Sequence, residues 1–127
     1  MTEMLHIEKT EDTPEVHFDP GKGFFSVVGR SLPENAYNFF KPLIDFTRQY
    51  VSAHTNKSTD LTFKLDYFNS SSGRFIFEML TIFEESYKKK QPVKVKWLVD
   101  KDDELMIEKG EELKSLLEIP FEIQIKE

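Results

Sequence analysis

The sequence predicts an α/β fold: a mixed sheet of about six strands with helices packed on it. Two observations carry that prediction. Apolar residues recur with a period of two in six short segments and with a period of three to four in three longer ones. After three opening strands the two kinds of segment alternate, and such αβ repeats favour right-handed crossovers that lay helices over a sheet. At 127 residues the chain is expected to form a single domain, residues 1–127, burying roughly two-thirds of the surface of its unfolded form.

Leu5 and Ile7, then Val16 and Phe18, mark two alternating segments, and Thr13-Pro14 between them predicts a tight reversal. Asp19-Pro20-Gly21-Lys22-Gly23 is a turn, and Phe24 to Val28 resumes strand composition. Ser31 with Glu34 matches a reciprocal capping box, which places the start of a first helix there. Tyr37, Phe40, Leu43, Ile44, Phe46, Tyr50 and Val51 form its apolar stripe, and Pro42 inside that stripe is expected to kink or split the helix. His54 to Asp60 reads as a polar loop.

Leu61, Phe63, Leu65 and Tyr67 then alternate with polar residues as the buried face of a fourth strand. Ile76, Met79, Leu80, Phe83 and Tyr87 follow at helical spacing. Lys88, Lys89 and Lys90 fall at the end of this second helix, where the dipole favours cations. After Gln91-Pro92, Val93, Val95, Trp97 and Val99 alternate with Lys94, Lys96 and Leu98 in a fifth strand with lysines on its solvent side. An acidic loop, Asp100 to Glu104, leads into Leu105, Met106, Leu113, Leu116 and Leu117, a third helix. Gly110 on its apolar side costs about 1 kcal/mol relative to alanine, which predicts close approach to a neighbour or a break. Pro120 stops the helix, and Phe121, Ile123 and Ile125 form the last strand.

Composition narrows the function classes. The absence of cysteine removes thiol catalysis, redox motifs and cysteine-based zinc sites, and fits a reducing, cytoplasmic compartment. A net charge of -6 argues against nucleic acid or anionic lipid as a partner. The N-terminus lacks a secretion signal, and no apolar run reaches the ~20 residues of a membrane span, so no direct membrane insertion is expected. His6, His17 and His54 have no ligand spacing, and the acidic loop lacks the glycine and spacing of a calcium loop, so neither a metal nor another cofactor is expected. Without a Gly-x-Ser-x-Gly elbow or a phosphate-binding glycine loop, the chain is not expected to be an enzyme.

The distinctive stretch is Asp66-Tyr67-Phe68-Asn69-Ser70-Ser71-Ser72-Gly73-Arg74, a strand-to-helix turn with three consecutive hydroxyls. Such turns lie where ligands and partners meet a sheet-and-helix fold. One serine could simply be a helix N-cap. The turn also suits reversible phosphorylation: a phosphate there meets backbone donors and a favourable dipole while adding about -1.5 to -2 charges. Arg74, one turn beyond Ser70, can pair with that phosphate or with Glu78 in an ordinary helix pair. A small-ligand or anion-binding module, or minor enzyme, using Asn69 to Gly73, and a purely structural assembly domain, are the competing readings.

An ordered set of pieces then resembles a known family. Thr13-Pro14, Phe18-Asp19, Gly29-Arg30-Ser31 with Pro33-Glu34, Asp66 to Ser72, Trp97, Asp102-Asp103, Glu108 and Gly110-Glu111-Glu112 look like the SiaC family of bacterial regulatory phosphoproteins. The resemblance implies a fold and logic like those of anti-sigma-factor antagonists (STAS-like domains). It implies a signalling regulator that is phosphorylated by a cognate kinase and dephosphorylated by a PP2C-type phosphatase. The unmodified form is expected to bind a downstream signalling protein such as a diguanylate cyclase. By position the phosphoacceptor is Ser70, where family members often carry threonine, with Ser71 as the alternative. The partner-binding face is expected to include Asp66, Asn69, Ser71, Ser72, Arg74 and Arg30.

Overall fold

The computed structural model describes residues 3–53 and 58–126. The chain opens with strands β1 (Leu5–Ile7), β2 (Glu15–Asp19) and β3 (Phe24–Ser31). Then come α1 (Ala36–Ser52), β4 (Thr59–Phe68), α2 (Ser70–Lys88), β5 (Val93–Asp100), α3 (Glu104–Leu116) and β6 (Phe121–Lys126). The six strands lie side by side in chain order. β1, β2 and β3 pair antiparallel, and β3 to β6 pair parallel. Each crossover steps to the adjacent strand in the same direction, so crossovers of one hand place every helix on one face.

Burial shows the same two layers. On β5, Val93, Val95, Trp97 and Val99 are buried while Lys94 is exposed and Lys96 half-buried. Between sheet and helices the core has an aromatic cluster under α1 and α2, with the rings of Phe18 and Phe25 4.6 Å apart and those of Phe25 and Phe83 5.3 Å apart. A second cluster joins Trp97 to Phe63, Phe68 and Phe121 on the β4–β6 side. The expected close approach at Gly110 is present: a Cβ there would stand 2.5 Å from the Trp97 ring, whose Nε1 donates to the Met106 carbonyl at 3.0 Å. Among the described residues no helix is long and apolar enough to cross a membrane.

Several local expectations are corrected. β1 and β2 are joined by a loop over residues 8–14, wider than a tight reversal. The capping box at Ser31 and Glu34 does not form, because Ser31 is the last residue of β3 and fully buried. Asn35 caps α1 instead, its Oδ1 accepting from the Asn38 N–H at 3.0 Å. α1 is not split at Pro42, which is exposed beside an equally exposed Asn38, so water can satisfy the carbonyl that the proline leaves unpaired. Tyr37 is 56% exposed, outside the core stripe. The loop expected over His54 to Asp60 ends before Thr59, where β4 begins, and His54 lies outside the described residues.

The correction that matters most for the site concerns Tyr67. Leu65 pairs with Gly29 and Tyr67 with Arg30, so Asp66 is an extra residue on β4, a bulge. A bulge resets the two-residue alternation. Asp66 and Tyr67 therefore both face outward, and Phe68 rather than Tyr67 enters the core at 5% exposure. Gly29, opposite, has φ of 125°, a backbone angle suited to glycine.

Candidate functional site

The β4–α2 turn is tied to the body of the protein at several points. Asn69 is the N-cap of α2: its Oδ1 accepts from the Ser72 N–H at 2.9 Å, and its own N–H donates to the Ser31 carbonyl at 3.2 Å. The Ser72 hydroxyl donates to the same carbonyl at 3.0 Å and accepts from the Ser31 hydroxyl at 2.8 Å. From the other side Lys109 of α3 reaches over, its Nζ donating to the Phe68 carbonyl at 3.3 Å. The expectation that a serine caps the helix is replaced by Asn69, which leaves the serines in the first turn of α2 itself.

Those three serines have different environments. Successive helical residues are turned by about 100° from one another, so three in a row cannot share one face. Ser70 is exposed, Ser71 half-buried and Ser72 fully buried. Ser72, expected on the partner-binding face, is thus a buried fastening to β3. The first-turn N–H groups of Ser70 and Ser71 have no intrahelical acceptor, as at any helix start, and the dipole there favours an anion.

The remaining candidates lie at the surface near the ends of β3 and β4 and in the first turns of α2. Asp66 is exposed at the bulge with a carboxylate oxygen 4.0 Å from Lys64 Nζ. Arg30 is exposed at the end of β3, opposite Tyr67. Arg74 is exposed and shares a helix face with Ser70 through their four-residue spacing. It does not pair with Glu78, whose carboxylate lies 3.6 Å from Arg48 instead. Arg74 has no ion-pair partner among the described residues.

Ser70 and Arg74 line one wall of an open groove of about 320 Å³ between α2 and α3. Phe68, Phe77, Leu113 and Leu116 supply its apolar surface, and Lys109 and Glu112 line it from α3. Lys109 is the residue that sequence reasoning did not find. Its ammonium lies 4.2 Å from the centre of the Phe68 ring and 5.7 Å from that of Tyr67, a cation held over aromatic faces. Its neighbour Gly110 was legible as a point of close approach, but the reach of Lys109 to a carbonyl 41 residues away was not.

A capped helix start bearing one exposed serine, on the wall of a groove that two cations line, is one of the pieces on which the sequence resemblance rests. The SiaC family of regulatory phosphoproteins matches residues 7–126, nearly the full length. The chain belongs to the SiaC family. An uncharacterized protein of Pseudomonas aeruginosa (strain UCBPP-PA14) is 33% identical over 120 residues, 94% of each chain. The crystal structure of apo-SiaC from Pseudomonas aeruginosa superposes with a TM-score of 0.90 at 32% identity, covering 97% of this chain and 99% of that one. A chain in the crystal structure of the diguanylate cyclase SiaD in complex with its activator SiaC, from the same organism, matches with a TM-score of 0.91 at 33% identity. That match covers 96% of this chain and 99% of the other. The mixed six-stranded sheet with three helices is thus the SiaC architecture, as expected from the sequence.

Proposed function

We propose that this protein is a non-catalytic regulator that switches partners through reversible phosphorylation of Ser70. The observation that carries this reading is the exposure of Ser70, next to a half-buried Ser71 and a fully buried Ser72, in the first turn of α2. A cognate kinase can reach Ser70 without unfolding the turn. In the transfer the Ser70 Oγ attacks the γ-phosphorus of ATP, ADP leaves, and the hydroxyl proton passes to a base of the kinase. A PP2C-type phosphatase restores the serine by hydrolysis, releasing inorganic phosphate.

In the unmodified state the same surface binds a downstream signalling protein, with Asp66, Asn69, Arg30, Arg74 and Ser71 around the contact. A diguanylate cyclase is the class of partner suggested by the SiaD–SiaC complex. The added charge of about -1.5 to -2 then falls at the centre of the contact, where desolvating it opposes binding. Family membership supports a regulator without a reaction of its own. Incubation with the cognate kinase and ATP, followed by mapping of the phosphorylated residue, tests the reading. Phosphate on Ser70 supports it, and a kinase that modifies the chain only outside residues 70–72 sinks it.

A further inference from the structure

The net charge of the chain is -6, yet two cations line the groove beside Ser70 and neither Arg74 nor Lys109 has a carboxylate partner among the described residues. Lys109 is half-buried and spends its charge on the Phe68 carbonyl and ring. A neutral acceptor holds an ammonium less strongly than a phosphate does, because the phosphate adds the attraction of opposite charges to the hydrogen bond. Lysine also has three rotatable donors on a flexible stem, so it can change acceptor without moving its helix.

Resting on the Ser70 reading above, we infer that Lys109 and Arg74 are the internal receivers of the phosphate, joining α3 to α2 across the groove when Ser70 is modified. Arg74 lies one turn along the same helix face, and Lys109 approaches from the opposite wall. On phosphorylation Lys109 leaves the Phe68 carbonyl for a phosphate oxygen, and water replaces the ammonium at that carbonyl while the Asn69 N–H of the same peptide unit stays on the Ser31 carbonyl. Both cations are then committed to the phosphate and the groove is bridged at one end, which narrows a partner side chain's access to its apolar surface around Phe77 and Leu116. Glu112 also lines the groove, so the two cations act there beside a carboxylate. Lys109 acts here as a positioning residue for the modified state and has no part in the transfer itself.

The test uses the full chain with phosphoserine inserted at position 70 during translation, so that it does not depend on any kinase. Phosphorus NMR follows the second ionisation of the phosphate, which lies near about 6 for an unperturbed group. Nearby cations favour the dianion, and the expected midpoint is lower by about half a unit or more. Lys109→Met, which keeps an apolar stem over the Phe68 ring, is expected to reverse much of that shift, Lys109→Arg to preserve it, and Arg74→Gln to reduce it independently. Phosphoserine at position 71 controls for the helix dipole and should show no dependence on Lys109. Trp97 fluorescence checks that each variant keeps α3 in place, because Trp97 bonds to the Met106 carbonyl. An unshifted phosphate at position 70, or the same shift in wild type, Lys109→Met and Arg74→Gln, overturns the inference. The Ser70 reading stands or falls separately on the kinase mapping.

Discussion

The hydroxyl of Ser31 donates to the hydroxyl of Ser72 at 2.8 Å, and both side chains are fully buried where β3 ends and α2 begins. This pair fixes the turn on which Ser70 is displayed, and it separates a structural serine from a surface one two residues away. Ser72→Ala leaves the Ser31 donor buried without its acceptor, which costs about 1–3 kcal/mol. Ser70→Ala, at an exposed position, is expected to stay within about 0.5 kcal/mol of wild type. Urea denaturation of the two variants checks the contrast, and equal losses would contradict it.

Phosphoacceptor chemistry gives a second contrast. Ser70→Ala should abolish incorporation of phosphate by the cognate kinase, while Ser71→Ala should retain most of it and Ser70→Thr should remain a substrate. Ser70→Asp should fold normally and bind the downstream partner at least about tenfold more weakly, a change of about 1.4 kcal/mol. Calorimetric titration against the partner measures this, and unchanged affinity would show that charge at Ser70 is not the switch.

Gly110→Ala sets two opposing effects against each other. Alanine gains about 1 kcal/mol in helix propensity, but its Cβ would stand 2.5 Å from a Trp97 ring that is only 1% exposed. Overpacking of a filled core costs about 1–3 kcal/mol, and a ring buried on all sides has nowhere to yield. A net loss of stability with altered Trp97 fluorescence is expected. A variant more stable than wild type would show that α3 can shift away from the sheet.

The end of α2 is pinned to the segment before β6 by Lys88, whose Nζ is 3.1 Å from a Glu118 carboxylate oxygen. The hydrogen bond to Glu118, then its charge and that of Glu84, raise the Lys88 pKa above the ordinary 10.5. A raised lysine pKa contributes stability that is fully present below 10.5 and lost as pH climbs through the higher folded value. The pair is solvent-exposed, so the effect is small and screened by salt. Lys88→Met should lower the thermal midpoint slightly well below pH 10.5 and leave it unchanged well above the folded value. A deficit that persists at high pH would mean that packing rather than charge is responsible.

The sequence by itself determined the order of strands and helices, the mixed sheet and the position of the hydroxyl-rich turn. These follow from periodicities of two and about 3.6 residues and from breakers such as Pro92 and Pro120, which act over a few neighbours. It also marked Gly110, since a glycine inside an apolar helical face has a local cost that something must offset. Local signals misread Ser31 as a cap and Tyr67 as core. A serine three residues before a glutamate looks the same at a strand end as at a helix start, and the extra residue of a bulge is visible only against the partner strand. The tertiary structure alone decided which serine faces solvent, because Ser72 meets Ser31 and Lys109 meets Phe68 across 41 residues of chain in each case. No periodicity encodes such pairings; they arise when the sheet aligns β3 with β4 and α3 settles on Trp97. That alignment leaves Ser70 exposed on the wall of a groove that Arg74 and Lys109 also line.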